Sequence, residues 1–571
     1  MFSAGVVAFA VCAALGTSIS SAEPVLHDNS ATTGCVLNDT IADFIQNTIS
    51  EWNSPGGVAV AFVSKRNDGE WRVETQGYGR AKVDGTPVVP DTLFAIASNS
   101  KLFTAIATGL LIDNGSLPLN WDSKLRTVIP EWGVADPIAS SETTIIDAMS
   151  HRTGLPRHDL SYSFNETLTS LIRKLPHLKP STEFRTAWQY NNIMYAALSC
   201  LPSLVLPSQP PFACYVKEHI FDRLGLNDTT YSSRAAQETD RLADAFTRQV
   251  NHTGDIFGQG TPRVYPFFMD TDEEGSSLLL EGRDPRTNES VIPVDVVRKV
   301  SSGITVSTGA APYPELGPIV YGGGQMRGTY RGYEYIEHGG SVPGYRTQII
   351  RFPNERFGLA VLVNDDTYGT QMHEVIKWRI VDSYLGLHPV DWTGRAKSKL
   401  LADREKKPKS LPRPENATAP SGLGGWYDNA GYGAFLFCRV DVEDATEGKA
   451  SEAQVISRDN EEQVLLQDRR PKHVAAESLE ASECRRMREI APTVLPGAID
   501  QSVPTLLAKW NRVWSNYIKL THYDGGIFNV SVLASVPTGN ASEPYWVAEV
   551  DENPDLTSAC GVLLVRSVIL T

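Results

Sequence analysis

Ser98-Asn99-Ser100-Lys101 sets a hydroxyl and an amine three residues apart, directly after the apolar run Leu93–Ala97. The residues that follow, Lys101–Leu111, are apolar enough for a buried helix that ends at Asp113-Asn114-Gly115. Residues three apart on a helix share a face, so the lysine amine comes to lie beside the serine hydroxyl. A serine at a helix amino terminus also sits in positive dipole density, which favours negative charge developing on its oxygen. The same field and partial burial disfavour a charged lysine and move it toward use as a base. The chemistry this pair suits is nucleophilic attack by Ser98 on a carbonyl carbon. Taken alone, the four residues are more readily read as a capping serine and a lysine reaching for water. The surrounding elements and motifs decide between the two.

Several elements can be read around this segment. Ile41–Trp52 has helical periodicity, Gly57–Ser64 (GVAVAFVS) reads as a buried strand and Trp71–Gly79 as a second. Thr347–Phe352 and Phe357–Asn364 flank Pro353-Asn354-Glu355-Arg356 as a hairpin, and His373–Leu385 follows as a helix. Strands at both ends with helices between them predict an α/β or α+β domain whose sheet joins amino- and carboxyl-terminal segments. At residues 397–421 the composition turns basic and proline-rich, which predicts an exposed linker. Beyond it, GWYDNAGYGAFLFCRVDV and FNVSVLASV alternate between turn residues and predict a β-rich second domain. The charged stretches Glu443–Glu452 and Gln454–Arg470 read as exposed loops. The expected domains are thus 1–22 as a signal peptide, 23–396 as the catalytic domain, 397–421 as the linker and 422–571 as a β-rich accessory domain.

In that frame LFAIASNSKLFTAIATGLLIDNG resembles the nucleophile segment of the serine β-lactamase and penicillin-binding protein family. The resemblance is to the branch with class C β-lactamases, DD-peptidases and esterases. Met149–Pro156 (MSHRTGLP) is similar to that family's S-H-x-[ST]-G-L-P segment, and Tyr190-Asn191-Asn192 to its Y-x-N, preceded by Pro180–Arg185. His338-Gly339-Gly340 is similar to the H-x-G form of its K-T-G motif and leads into Ser341-Val342-Pro343-Gly344-Tyr345. The motifs occur in family order and cover most of residues 41–387. What the resemblance implies is a β-lactamase/transpeptidase-like domain, an antiparallel sheet flanked by helices, with a β-rich domain after it. It further implies Ser98, Lys101 and Tyr190 as catalytic residues, and Asn192, His338, Gly340 and Ser341 as substrate-binding residues. The backbone amides of Ser98 and Ser341 would form the oxyanion hole. A phenol beside an ammonium suits proton exchange with a serine, and Asn192 can bond both Lys101 and an acyl-group amide. His151 is assigned to structure. β-Lactam-hydrolysing members commonly carry lysine where His338 stands. A histidine there would be a weaker, pH-dependent carboxylate clamp, which turns the reading toward an esterase, amidase, peptidase or transacylase. No G-x-S-x-G elbow supports an α/β-hydrolase.

Composition narrows the setting. At 571 residues two domains are expected. A formal charge of -15 argues against nucleic acid or anionic membrane as partner. No stable membrane association is expected, and the oligomeric state is left open. The apolar run Ala4–Gly16, with small residues at Ser20 and Ala22, predicts a signal peptide cleaved before Glu23 and hence secretion; a retained anchor is the alternative. Once Cys12 leaves with that signal, six cysteines remain, an even set suited to an oxidising compartment. Cys200 and Cys214, separated by a short proline-rich segment, are the expected local disulfide, with Cys35, Cys438, Cys484 and Cys560 open to three connectivities. Glycosylation sequons fall at Asn38, Asn114, Asn165, Asn227, Asn251, Asn288, Asn416, Asn529 and Asn540. The carboxyl-terminal GVLLVRSVILT reads as a closing strand. The predicted activity is hydrolysis of an ester or amide, in a small molecule or peptide, through an acyl-serine and without metal or organic cofactor. An acyltransferase of the same fold and a non-catalytic binding protein are the alternatives.

Overall fold

The computed structural model describes residues 35–66, 68–69, 71–163, 166–250, 257, 260–265, 290–406, 413–420, 422–441, 473–495, 499–513, 515–540, 543–549 and 563–564. The expected signal segment, both charged stretches after residue 442, Cys560 and the sequons at Asn165, Asn251 and Asn288 lie outside them. The chain divides into two compact units: residues 1–157 with 167–407, and residues 158–166 with 408–571.

In the first unit Asn38 caps helix α1 (Asp39–Glu51), its side chain accepting from the Ile41 amide at 3.2 Å. Ile41, Ile45 and Ile49 recur four residues apart and are buried on one face. The strands follow as β1 (Gly57–Lys65), β2 (Trp71–Gly79), β3 (Ala245–Val250), β4 (Gly260–Tyr265), β5 (Thr305–Thr308) and β6 (Ile319–Tyr321). Next come β7 (Met326–Tyr330), β8 (Tyr333–Val342), β9 (Tyr345–Phe352) and β10 (Phe357–Val363). Eight of them make one antiparallel sheet in the order β2-β1-β10-β9-β8-β7-β6-β5, while β3 and β4 pair separately. The sheet joins the amino- and carboxyl-terminal segments of the domain: β1 pairs β10, with Val58 opposite Val363 and Ser64 opposite Phe357. Both strands read as near-continuous apolar runs because both of their faces are covered.

Helix α2 (Lys101–Asp113), preceded by a 3₁₀ turn at Ala97–Ser100, follows the first two strands. Helices α3 (Ile145–Met149), α4 (Asn192–Ser199) and α5 (Val294–Ser301) come next, and α6 (Gly369–Tyr384) and α7 (Trp392–Lys406) close the unit. Ile45, Trp52, Phe62, Phe352, Phe357 and Trp378 share one core between α1, α6 and the sheet. Helix α6 starts four residues before the expected His373, because the Asp365 carboxylate accepts from the amides of Thr367 and Tyr368 and turns the chain there. Tyr368-Gly369-Thr370 carries no helix-forming pattern to reveal this. The first ten residues of the expected linker belong to α7. Lysine, leucine and glutamate are good helix formers, Lys399 pairs with Asp403 one turn on, and Lys397 reaches Glu51 at 2.6 Å. The helix ends just before the prolines begin.

The second unit holds β11 (Gly425–Asn429), β12 (Gly433–Arg439), helix α8 (His473–Val494), β13 (Thr505–Arg512), β14 (Ser515–Asp524), β15 (Ile527–Asn540), β16 (Glu543–Glu549) and β17 (Leu563–Leu564). Strands β11 to β16 form a sheet in sequence order, and β17 pairs β15, so the strand expected at the carboxyl terminus is present at these two residues. Residues 158–166 join this unit: Leu160 packs on Trp510 and Val532, and His158 Nδ1 is 2.7 Å from the Tyr432 hydroxyl. No change of composition marks that excursion. The expected Cys200–Cys214 disulfide is corrected by the structure, which joins Cys438 on β12 to Cys484 on α8. Cys200 stands just before the short helix Leu201–Val205 and Cys214 lies within the helix Phe212–Val216; the two are not joined, and Cys200 Sγ donates to the Ala196 carbonyl. The expected closed loop is replaced by two short helices joined by residues 206–211. The sequon asparagines Asn38, Asn114, Asn227 and Asn416 are exposed and Asn529 is half-buried. Among the described residues no helix is long and apolar enough to cross a membrane.

Candidate active site

Ser98 lies in the 3₁₀ turn, and Lys101 is the first residue of α2. Ser98 makes no capping bond, and Lys101 is only 6% exposed, so neither of the bland roles open to S-x-x-K describes the pair. Lys101 Nζ donates to Ser98 Oγ at 3.2 Å and to Asn192 Oδ1 at 2.8 Å, and stands 5.0 Å from the Tyr190 ring and 5.5 Å from the Tyr195 ring. The turn is held from the sheet: Asn99, buried, donates to Thr347 Oγ1 on β9 at 2.9 Å, and Thr347 donates to the Ile96 carbonyl at 3.2 Å. Ala97 is pinned at φ 50° in the left-handed region immediately before the serine.

Two glycines make this approach possible. A Cβ on Gly340 of β8 would meet the Ile96 carbonyl at 2.1 Å, so only glycine lets that strand lie against the nucleophile turn. Ser341 follows it and is exposed. Gly324, at φ 69°, would put a Cβ 2.6 Å from the Lys101 backbone. The Tyr321-Gly322-Gly323-Gly324 run is thus part of the site, and its glycine clustering was the signal that sequence reading passed over.

Tyr190 and Asn192 are placed by the residue between them. Asn191 caps α4 through its Oδ1, which accepts from Ile193, while its Nδ2 donates to the Pro156 carbonyl at 2.6 Å and its amide donates to His151 Nδ1 at 3.2 Å. The adjoining segment is anchored by Asp147, fully buried on α3, which accepts from Arg152, Arg185 and Thr144. Burial would raise that carboxyl, but the hydrogen bonds from Arg185 and Thr144 and the charge of Arg152 bring it below its ordinary value. The arginine of HRTGLP, for which sequence offered no role, is therefore one arm of this anchor.

The ring of His151 contacts Tyr190 at 4.5 Å, Tyr321 at 4.9 Å and Tyr195 at 5.2 Å. Burial first, and then the charges of Lys101 and Arg157, hold it well below the usual histidine value, in keeping with a structural role. His338 is held by two hydrogen bonds. Its Nδ1 donates to the Gly339 carbonyl at 2.6 Å, which leaves Nε2 to accept from the buried Tyr321 hydroxyl at 3.1 Å. Burial and then Lys101 lower its pKa to about 4. In the free site the imidazole is thus neutral near pH 7, since desolvation outweighs any benefit of charge.

A serine–lysine pair at a helix start, walled by a strand of an antiparallel sheet, defines a β-lactamase/transpeptidase-fold serine hydrolase. The chain belongs to the Beta-lactamase family, whose profile matches residues 45–379. It is 25% identical over 381 residues to "Unguisins hydrolase ungD'" of Aspergillus campestris, covering 63% of this chain and 68% of that one. To "Unguisins hydrolase ungD" of Aspergillus violaceofuscus it is 26% identical over 439 residues, 70% and 75% of the two chains. The solved octameric penicillin-binding protein homologue from Pyrococcus abyssi aligns over 90% of this chain and 96% of its own. Its TM-score is 0.51 at 16% identity, a likeness of fold alone.

Proposed function

We propose that the protein is a secreted hydrolase that cleaves an ester or amide through an acyl-serine intermediate. The observation that carries this is the position of Lys101 Nζ, between Ser98 Oγ and Asn192 Oδ1. Ser98 Oγ attacks the carbonyl carbon as its proton passes to the Lys101–Tyr190 pair, and the backbone amides of Ser98 and Ser341 receive the oxyanion. The carbon–oxygen or carbon–nitrogen bond breaks, and the leaving group departs with that proton. Water then attacks the acyl-enzyme, releasing the acid and restoring Ser98. Asn192, His338 and Gly340 shape the wall against which the acyl group lies. Similarity to two unguisins hydrolases supports water over an alcohol or amine as the acceptor. A disulfide in the second unit supports the secretory route.

The test is labelling with a fluorophosphonate followed by peptide mapping, together with turnover of a small ester and amide panel. Label on Ser98, and loss of turnover in Ser98→Ala with folding retained, are expected. Full activity in Ser98→Ala overturns the assignment. Lys101→Ala and Tyr190→Phe should each lower kcat by roughly 10²–10⁴-fold, and the double variant should be little worse than the poorer single one. Additive losses would dissolve the pair as a unit.

A further inference from the structure

A lysine and an arginine lie close to the Tyr190 ring. Lys101 Nζ is 5.0 Å from its centroid, and the guanidinium carbon of Arg157 is 4.9 Å from it. The other groups facing the ring are His151 at 4.5 Å, Trp188 at 5.8 Å, His338 at 6.3 Å and Tyr321 at 6.4 Å, with Tyr195 beside Lys101. Neither histidine is charged near neutrality. The position on β8 where a permanent cation could stand therefore holds a neutral ring. Arg157, by contrast, keeps its charge at any working pH. Its field is felt in the site, being one of the causes that keep His151 neutral. Its place is fixed through the preceding residue, because Asn191, next to Tyr190, donates to the Pro156 carbonyl.

We propose that Arg157 is a positioning residue for proton transfer, supplying a permanent positive charge beside Tyr190. This rests on Lys101 and Tyr190 forming the relay. A cation at this distance stabilises a phenolate and destabilises an ammonium, so either member of the pair gives up its proton more readily. The sign is the same whichever of them receives the Ser98 proton.

The experiment compares Arg157→Met and Arg157→Lys with the wild type on a neutral aryl ester from about pH 5 to about pH 10. Removing the charge should move the acidic limb of kcat/KM upward by roughly one pH unit. Activity near the foot of the limb then falls about tenfold and recovers at alkaline pH. KM for the neutral ester stays unchanged, and Arg157→Lys keeps the limb near its wild-type position. An unmoved limb in Arg157→Met, or a lysine variant that behaves like the methionine one, overturns the proposal. So does a loss confined to KM for acidic esters, which would make Arg157 a carboxylate anchor. Should methionine not be accommodated, Arg157→Gln is the second neutral variant, with thermal melting as the check. Fluorophosphonate labelling of the wild type separates the two failures. Label absent from Ser98 removes the acyl-serine reading, whereas labelled Ser98 with an unmoved limb removes only the role of Arg157.

Discussion

Two buried lysines lie on either side of β8 and meet opposite treatment. Glu337 and His338 are neighbours on that strand, so their side chains point to opposite faces of the sheet. On the α6 face, Lys377 donates to Glu337 at 2.9 Å and to Glu374 at 2.7 Å, and Gln348 donates to Glu337 at 2.6 Å. Burial would lower Lys377, but the two carboxylates outweigh it and raise it. Burial also raises Glu337 against the pull of Lys377. On the other face, the acceptors of Lys101 among the described residues are a hydroxyl and an amide oxygen, and His338 nearby gives up its charge. Burial acts against charge on both faces, and the presence of a counter-charge decides the outcome. The carboxylates lock Lys377 as a structural ammonium. Among the described residues Lys101 has no carboxylate partner, the condition a group needs if it is to exchange a proton with Ser98.

The sharpest way to break this comparison is to replace each lysine by methionine. Lys377→Met should cost roughly 3–5 kcal/mol, because Glu337 is left buried without its partner. The folded fraction should keep the wild-type kcat. Lys101→Met should do the reverse, with stability changed by less than about 1.5 kcal/mol and turnover lost by roughly 10²-fold or more. Urea unfolding and ester turnover on the same preparations give the answer; a Lys101 variant that loses more stability than the Lys377 one would invert the roles.

A second, smaller effect tests the neutral histidine. A folded-state pKa of about 4 against the ordinary 6.5 means that the unfolded chain binds the proton first. The stability His338 contributes is therefore whole above about pH 6.5 and is lost as pH falls toward 4. The size of that loss is about 3 kcal/mol. His338→Gln should flatten that part of the acid limb of stability, leaving the share due to His151. Equal slopes for both proteins would mean that His338 is charged or exposed after all. Smallest is Gln348→Met, which removes one donor to Glu337 and should cost about 1–3 kcal/mol at neutral pH, with no change in kinetics.

What could be read from sequence is what repeats locally or occurs as a short motif. The alternation and apolar runs of β1, β2, β9 and β10, the helices α1 and α2, and the serine–lysine spacing all follow from neighbours within a few residues. Asn191 shows how narrow that window is. Its place between Tyr190 and Asn192 was visible, but its bonds to Pro156 and His151 span 35 and 40 residues. The Asp147 anchor was hidden in the same way, since Arg152 and Arg185 meet only after the chain has folded back. The sequence by itself determined the candidate nucleophile and lysine, because these depend on residue type and local spacing, and the resemblance of its motifs implied the family and the antiparallel sheet. Only the tertiary structure decided that Cys438 pairs with Cys484, that residues 158–166 belong to the second unit, that His338 is neutral and that Arg157 stands over Tyr190. Each of these is set by burial or by contact between residues far apart in the chain, and neither quantity is carried by any single stretch of it.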